Sequence, residues 1–346
     1  MILIRPAELK DLKELVALAA YLDSMNLPRD KKLLQTLIHI SRDSFAHHLK
    51  SKQRGRFLFV AENTRSGKVI GCSAIFSQHG TEQRPHLYFQ VHEELQKSHY
   101  LNHSVRRKYV TLKKKSDGPT EMCSLVVLPR YRRTPHQIGL QLALARYLYI
   151  WKHPAQFKKK FLSELNGVIR KKDRGNDLWD VLGGKLTGLD YHTADRLSAQ
   201  SKEFVLSLYP KTRFYVDLVP EKGQRVLEQV GEESIGALKI LKKIGFHYLH
   251  QCCPFDGGPY YGADWKEISL FKKIKELKFS NRPTTTPVTE GLVALHAGKN
   301  FWLVRTPFSK KGKEIFLPAK VARLFQKKLK EKSLKKLKAI TLELPV

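Results

Sequence analysis

The run Glu121-Met-Cys-Ser-Leu-Val-Val-Leu128 stops at Pro129, and Arg130-Tyr131-Arg132-Arg133 follows at once. Helix-forming residues then extend from about Gln137 to Trp151. This order sets a helix N-terminus, with its unpaired N–H groups and partial positive charge, just beyond a strand end. Such a terminus can hold phosphate. Arg132, Arg133 and His136 would add charge and donors, and Gly139 would let a ligand approach the backbone with no Cβ in the way. The chemistry implied is capture of a pyrophosphate-bearing molecule. The bland alternative is a basic loop capping a helix beside a sheet.

Other reactive side chains carry weaker patterns. Asp256, in Phe255-Asp-Gly-Gly-Pro259, reads as a turn former or as a carboxylate for a two-pronged guanidinium contact. Glu164 and Asp190 have the same pair of readings, structural or substrate-binding. The 14 histidines show no metal-ligand spacing with cysteines or carboxylates on one helix face, so no metal site is expected. His247 and His250 lie three apart on an expected strand and would point to opposite faces. The four cysteines fit neither a zinc knuckle nor a disulfide framework and read as reduced core thiols of a cytoplasmic protein.

The elements that would position these groups can be read along the chain. Ile2–Ile4 is a short strand. Asp11 and Glu14 have capping-box spacing for the helix after the strand. A second helix starts at Asp30, with Leu33, Leu34, Leu37 and Ile38 as its stripe. Phe57–Glu62 and Lys68–Phe76 form a hairpin across the Asn63–Gly67 turn. His79 to Lys108 is polar and mixed, with a strand at Leu87–Val91, and Tyr109–Leu112 is another. Phe161–Ile169 is a strand. Asp177–Leu182 is helical and stops on Gly183 and Gly184. The helix Ser234–Ile244 ends on Gly245, and the strand Phe246–Cys253 comes next. Asn281–Pro287 reads as a linker.

Strand, helices, hairpin, strand, basic turn, helix, strand: this succession resembles the acyl-CoA N-acyltransferase (GNAT-like) superfamily. The likeness implies an α/β fold, a mixed sheet flanked by helices. It also implies that the coenzyme's pantetheine arm lies along Leu125, Val126 and Val127, with its pyrophosphate on Arg132, Arg133 and the amides near Gly139. A backbone N–H there would hold the developing oxyanion. A narrower resemblance, to the arginine N-succinyltransferase family, covers about residues 1–270. It is carried by Ile4-Arg5-Pro6, Gly71-Cys72, Glu121, Cys123 and Leu125, Glu164 with Gly167-Val168-Ile169, Trp179, Asp190, Gln229-Val230, Gly245-Phe246 and, most specifically, Phe255-Asp256-Gly257-Gly258-Pro259. It implies succinyl transfer from succinyl-CoA to the α-amine of arginine, in arginine catabolism, with the acyl-CoA as co-substrate and no permanently bound cofactor. The family's catalytic histidine comes directly after the Gln-Val pair; here that position is Gly231. Imidazole suits proton transfer near neutrality and glycine has no proton to move. The candidates to replace it are Glu232, Glu233, Tyr215 and His247.

Composition sets the remaining bounds. The chain has 346 residues, enough for a domain of residues 1–280 and a small basic β-rich module over 285–346. No stretch of about 18 apolar residues offers a membrane span. Sixty-three Lys and Arg against 32 Asp and Glu give a net charge of +31, which attracts polyanions. Residues 301–346 hold 13 Lys or Arg and 3 acids. The expected partners are an acyl-CoA and a basic amino acid, with a second copy of the chain also considered. The alternative is a catalytically silent relative that binds polyanions such as RNA.

Overall fold

The computed structural model describes residues 1–22, 26–47, 54–82, 84–198, 200–280, 288–330, 334 and 337–345. The expected linker Asn281–Pro287 lies outside them. The chain forms two compact α/β units. One comprises Met1–Ser77, Met122–Lys158 and Lys266–Val346; the other comprises Gln78–Glu121 and Lys159–Trp265. No helix among the described residues is long and apolar enough to cross a membrane.

In the first unit, strand Arg56–Asn63 pairs antiparallel with Ile2–Pro6 and with Val69–Phe76. Every residue of Val69–Phe76 is buried, the signature of a strand covered on both faces. The two faces are separated by strand alternation. Leu58 and Val60 join a core with Leu15, Leu18, Leu34, Leu37 and Ile38 of the helices Leu12–Ala19 and Lys31–Phe45. Phe57 and Phe59 instead meet Tyr149 of the helix Ile138–Lys152, with ring centroids 5.2 and 5.7 Å away. Asp30 caps the second helix as its sequence suggests, accepting the Leu33 N–H at 2.8 Å. The first capping box differs: it joins Glu8 and Asp11, not Asp11 and Glu14. The Asp11 carboxylate accepts the Glu8 N–H at 2.8 Å and also takes both prongs of buried Arg5, at 2.7 and 2.8 Å.

The C-terminal strands of this unit close into a ring. Thr289–Ala297 pairs with Asn300–Lys311 and with Lys338–Glu343; the last pairs with Lys275–Phe279, which runs parallel to Glu314–Phe316, and that strand returns to Asn300–Lys311. Helix Ala319–Leu329 packs Val321 and Phe325 into the ring's core. The ring takes its first strand from Lys275, ahead of residue 281, and Asn300–Lys311 also pairs with the N-terminal strand at Leu3↔Val304 and Ile4↔Leu303.

In the second unit the long hairpin His86–Ser98/His103–Lys115 replaces the short strands expected at Leu87–Val91 and Tyr109–Leu112. Its distal half has little burial on either face, so the alternation that marks a strand is lost there. The expected strand Phe161–Ile169 ends at Glu164, because the Gly167 N–H is given to the Asp256 carboxylate at 2.8 Å. The helix expected to stop at Gly183 winds instead through a π-turn over Trp179–Gly183 and continues to Thr187. Gly188, at φ 70, is the left-handed terminator. Gly245 ends the helix Ile235–Ile244 at φ 108, as expected.

Arg5 is 1% exposed and also donates to Glu62 at 2.6 Å. Arg5→Ala would strand buried Asp11 and half-buried Glu62, so urea unfolding is expected to show a loss of about 3 kcal/mol.

Candidate active site

Strand Thr120–Val127 starts in the second unit with Thr120 and Glu121; from Met122 it belongs to the first, lies beside Val69–Phe76 and leads into the basic turn. Gly71 admits the close approach: a Cβ there would sit 2.8 Å from the Val126 carbonyl oxygen. The Val126 carbonyl thus faces its own sheet, and the alternate residues Leu125 and Val127 turn their backbone groups to the other edge. Ser124 stands in the left-handed region at φ 54 inside the strand, and its hydroxyl donates to the Asn26 carbonyl at 3.2 Å. A non-glycine residue in that conformation is uncommon, the more so inside a strand. The parallel ladder with Lys160–Glu164 comprises Thr120↔Phe161 and Glu121↔Leu162, both before Ser124.

The turn itself is a single 3₁₀ turn, Pro129–Tyr131. Arg132 Nε donates to the Val127 carbonyl at 2.8 Å. Arg133 and Gln137 have φ of 55 and 47, which sharpen the chain's entry into the helix. The first helical amides, from Ile138 through Gly139 to Leu140, have no carbonyl of their own helix to donate to. Arg305, which sequence patterning did not single out, donates to the Pro135 carbonyl at 3.2 Å and to Gln137 Oε1 at 3.1 Å. Only the pairing of its strand with the N-terminal sheet brings it there. The turn therefore collects guanidinium groups and free amides, the equipment for a polyphosphate.

In the second unit, Asp256 is buried, and its carboxylate accepts from Gly167 N at 2.8 Å and Gly258 N at 2.9 Å. Burial raises its pKa against those two donors. Gly231 N donates to the Asn166 carbonyl at 2.9 Å. A Cβ on Gly231 would collide with the Gly167 carbonyl, one on Gly167 with that of Asp256, and one on Gly258 with that of Leu165. Gly231 has φ −60, which any residue adopts, so glycine is needed there for space and not for conformation. The remaining sequence candidates are dispersed. Glu232 pairs at the surface with Lys171 at 3.0 Å, and exposed Glu233 sits beside it on the same 3₁₀ turn. The Tyr215 hydroxyl donates to Glu94 at 2.6 Å. His247 is exposed on its strand, and Asp190 accepts from Thr193 N at 2.9 Å at the start of the helix Tyr191–Ser198.

The same unit gathers a cluster whose histidines no local motif announces. Glu121, at the end of the short parallel ladder, lies 2.5 Å from His79 Nδ1. Glu164 Oε1 is 3.4 Å from His79 Nε2 and 3.2 Å from His86 Nδ1. His86 stacks between Tyr88 and Tyr260, with ring centroids 5.0 and 5.4 Å away. Burial by itself would lower the His79 pKa, but Glu121 and Glu164 outweigh it and hold it above its ordinary value. Burial keeps His86 below its ordinary value. Against burial, the two imidazoles hold Glu164 low. Lys202 acts on all three groups.

The glycine packing makes a sharp statement about position 231. Gly231→His is expected to lower stability by about 1–3 kcal/mol, the usual cost of overpacking, with no gain in turnover. Thermal unfolding and a thiol-release assay on the variant check both halves.

Sequence and structure comparisons agree with one another. The family described as "Arginine N-succinyltransferase beta subunit" matches residues 2–270. A protein of Photorhabdus laumondii named arginine N-succinyltransferase is 31% identical over 307 residues, 87% of each chain. One of the same name from Yersinia enterocolitica is 29% identical over 283 residues, 80% of each. In fold, the chain is similar to the arginine/ornithine succinyltransferase subunit AI of Pseudomonas aeruginosa, at a TM-score of 0.83 and 23% identity, covering 100% of this chain and 99% of that one. Matched over most of its length by the family and by a relative of this identity, the chain belongs to the arginine N-succinyltransferase family.

Proposed function

We propose that the protein transfers the succinyl group of succinyl-CoA to the α-amine of arginine, within a GNAT-like arrangement. The observation that carries this reading is the edge of strand Thr120–Val127. Its register pairs with Lys160–Glu164 are Thr120↔Phe161 and Glu121↔Leu162, Ser124 then stands in the left-handed region, and the strand runs into a basic turn and a helix N-terminus. An extended pantetheine would take the edge at Leu125 and Val127 as an added strand does, sharing the Val127 carbonyl with Arg132, and the pyrophosphate would rest on Arg132, Arg133 and the amides around Gly139. The transfer machinery lies within residues 1–280, and the module over 285–346 lends Arg305 to the turn.

The chemistry is one displacement. The neutral amine nitrogen attacks the thioester carbonyl, its lone pair forms the C–N bond, and the tetrahedral oxyanion is held by a backbone N–H. Collapse breaks the C–S bond, coenzyme A leaves as the thiolate, and the amine's proton passes to solvent. Position 231 offers no base, and its surroundings leave no room for one. The His79 imidazole is held through Nδ1 by buried Glu121 at 2.5 Å. The reactive species is thus the free amine drawn from solution. The silent polyanion-binding alternative gains no support from relatives that are named as enzymes.

Thiol release from succinyl-CoA in the presence of single amines tests this reading. Arginine should accelerate release well above hydrolysis, with ornithine as the closest competitor; no acceleration by any amine would overturn it. Because the free amine is the reactant, the rate below saturation should climb about tenfold per pH unit up to the amine's own pKa. A plateau near the imidazole value of about 6.5 would instead reveal a histidine base. Arg132→Ala should raise KM for succinyl-CoA by roughly 10–100-fold with kcat little changed, the loss of one charged hydrogen-bond donor to a phosphate.

A further inference from the structure

We propose that His79, His86 and Glu164 bind a divalent metal ion of the zinc type, with Glu121 orienting His79 from behind. Two atoms that ought not to be alone point to it. His86 Nδ1 and Glu164 Oε1 are buried and have no hydrogen-bond partner among the described residues, and His86 as a whole is only 2% exposed. They stand 3.2 Å apart as a contact pair whose angles miss hydrogen-bond geometry. Buried polar atoms left in this state cost about 1–3 kcal/mol each, so a common partner between them is the economical solution.

The distances say what kind of partner. Ligand atoms held about 2.0–2.2 Å from a tetrahedral zinc lie roughly 3.3–3.5 Å from one another. Glu164 Oε1 is 3.4 Å from His79 Nε2 and 3.2 Å from His86 Nδ1, and the three ligand atoms all fall within 4.8 Å of each other. The tautomer is also set for it. Glu121 lies 2.5 Å from His79 Nδ1 and takes the proton there, which turns the Nε2 lone pair toward Glu164. A carboxylate behind a ligating imidazole is the usual outer partner of a bound metal. Two imidazoles and one carboxylate suit zinc and its first-row neighbours and leave a fourth position for water. Glu164, with its side chain 27% exposed, gives solvent a way in.

The first unit holds a second convergent set, His47, His153 and His296. In it, His153 Nε2 and His296 Nε2, 3.2 Å apart, already share a direct hydrogen bond. It therefore serves as the control.

The metal site does not depend on the succinyl-transfer reading, and its test reads binding directly. The full chain is treated with chelator, dialysed and titrated with zinc against a chromogenic competitor, and separately with cobalt(II). One tight equivalent and the intense visible absorption of tetrahedral cobalt are expected. His86→Ala should abolish both, Glu121→Gln should weaken zinc affinity about 10–100-fold, and His153→Ala should change neither. Circular dichroism melts confirm that each variant is folded, and Glu164→Gln gives a near-isosteric second variant should His86→Ala fail to fold. No stoichiometric binding by the folded protein, or binding that survives His86→Ala and Glu164→Gln, or binding lost in His153→Ala, would each overturn the assignment.

Discussion

A strand must satisfy its backbone on both edges or leave one edge for something else, and the register pairs of Thr120–Val127 with Lys160–Glu164 are two, Thr120↔Phe161 and Glu121↔Leu162. One edge is pressed so close to Val69–Phe76 that residue 71 has no room for a Cβ. On the other edge the parallel ladder stops at Glu121. Ser124, three residues further on, stands in the left-handed region. The rest of the first unit's chemistry depends on where this strand ends and how it is aimed. The Pro129–Tyr131 turn, the Arg132 bond to the Val127 carbonyl and the first-turn amides of Ile138–Lys152 all follow directly from it in the chain. A strand laddered fully on both sides would leave an acyl-CoA nothing to pair with.

The second unit is organised by a different constraint, backbone packed on backbone. Asp256 ties Gly167 to Gly258, and Gly231 rests on Asn166 and Gly167. Three glycines interlock so that each fills the space another residue's Cβ would take. Position 231, which the resemblance aligns with a histidine, is packed here against main chain of the 165–167 segment, so its glycine is part of a packing arrangement. Asp256, open in the sequence to both a turn-forming and a guanidinium-binding role, spends both carboxylate oxygens on backbone amides.

Local signals are legible where a few adjacent residues decide the outcome. Asp30 caps its helix, Gly245 ends another, and the apolar run at Val69–Phe76 is a buried strand. They fail where a distant partner competes for the same groups. Phe161–Ile169 has the composition of a longer strand, but Asp256 takes the Gly167 amide and stops it at Glu164. Asp11 has capping spacing with Glu14, but its carboxylate belongs to Arg5 and to the Glu8 amide. The distal half of the hairpin at 86–115 is solvated on both sides, so no pattern of polarity could reveal it.

The sequence by itself determined the family, the order of the elements, and the conjunction of a strand end, a basic turn and a helix start, because those features are written in neighbouring residues. Tertiary structure alone decided which side chains meet. His79 and Glu121 are 42 residues apart, and Glu164 reaches both histidines only because Glu121 and Leu162 are register partners in a ladder two residues long. Strand pairing is set by the packing of whole sheets, so a cluster assembled across it leaves no spacing for a motif to record.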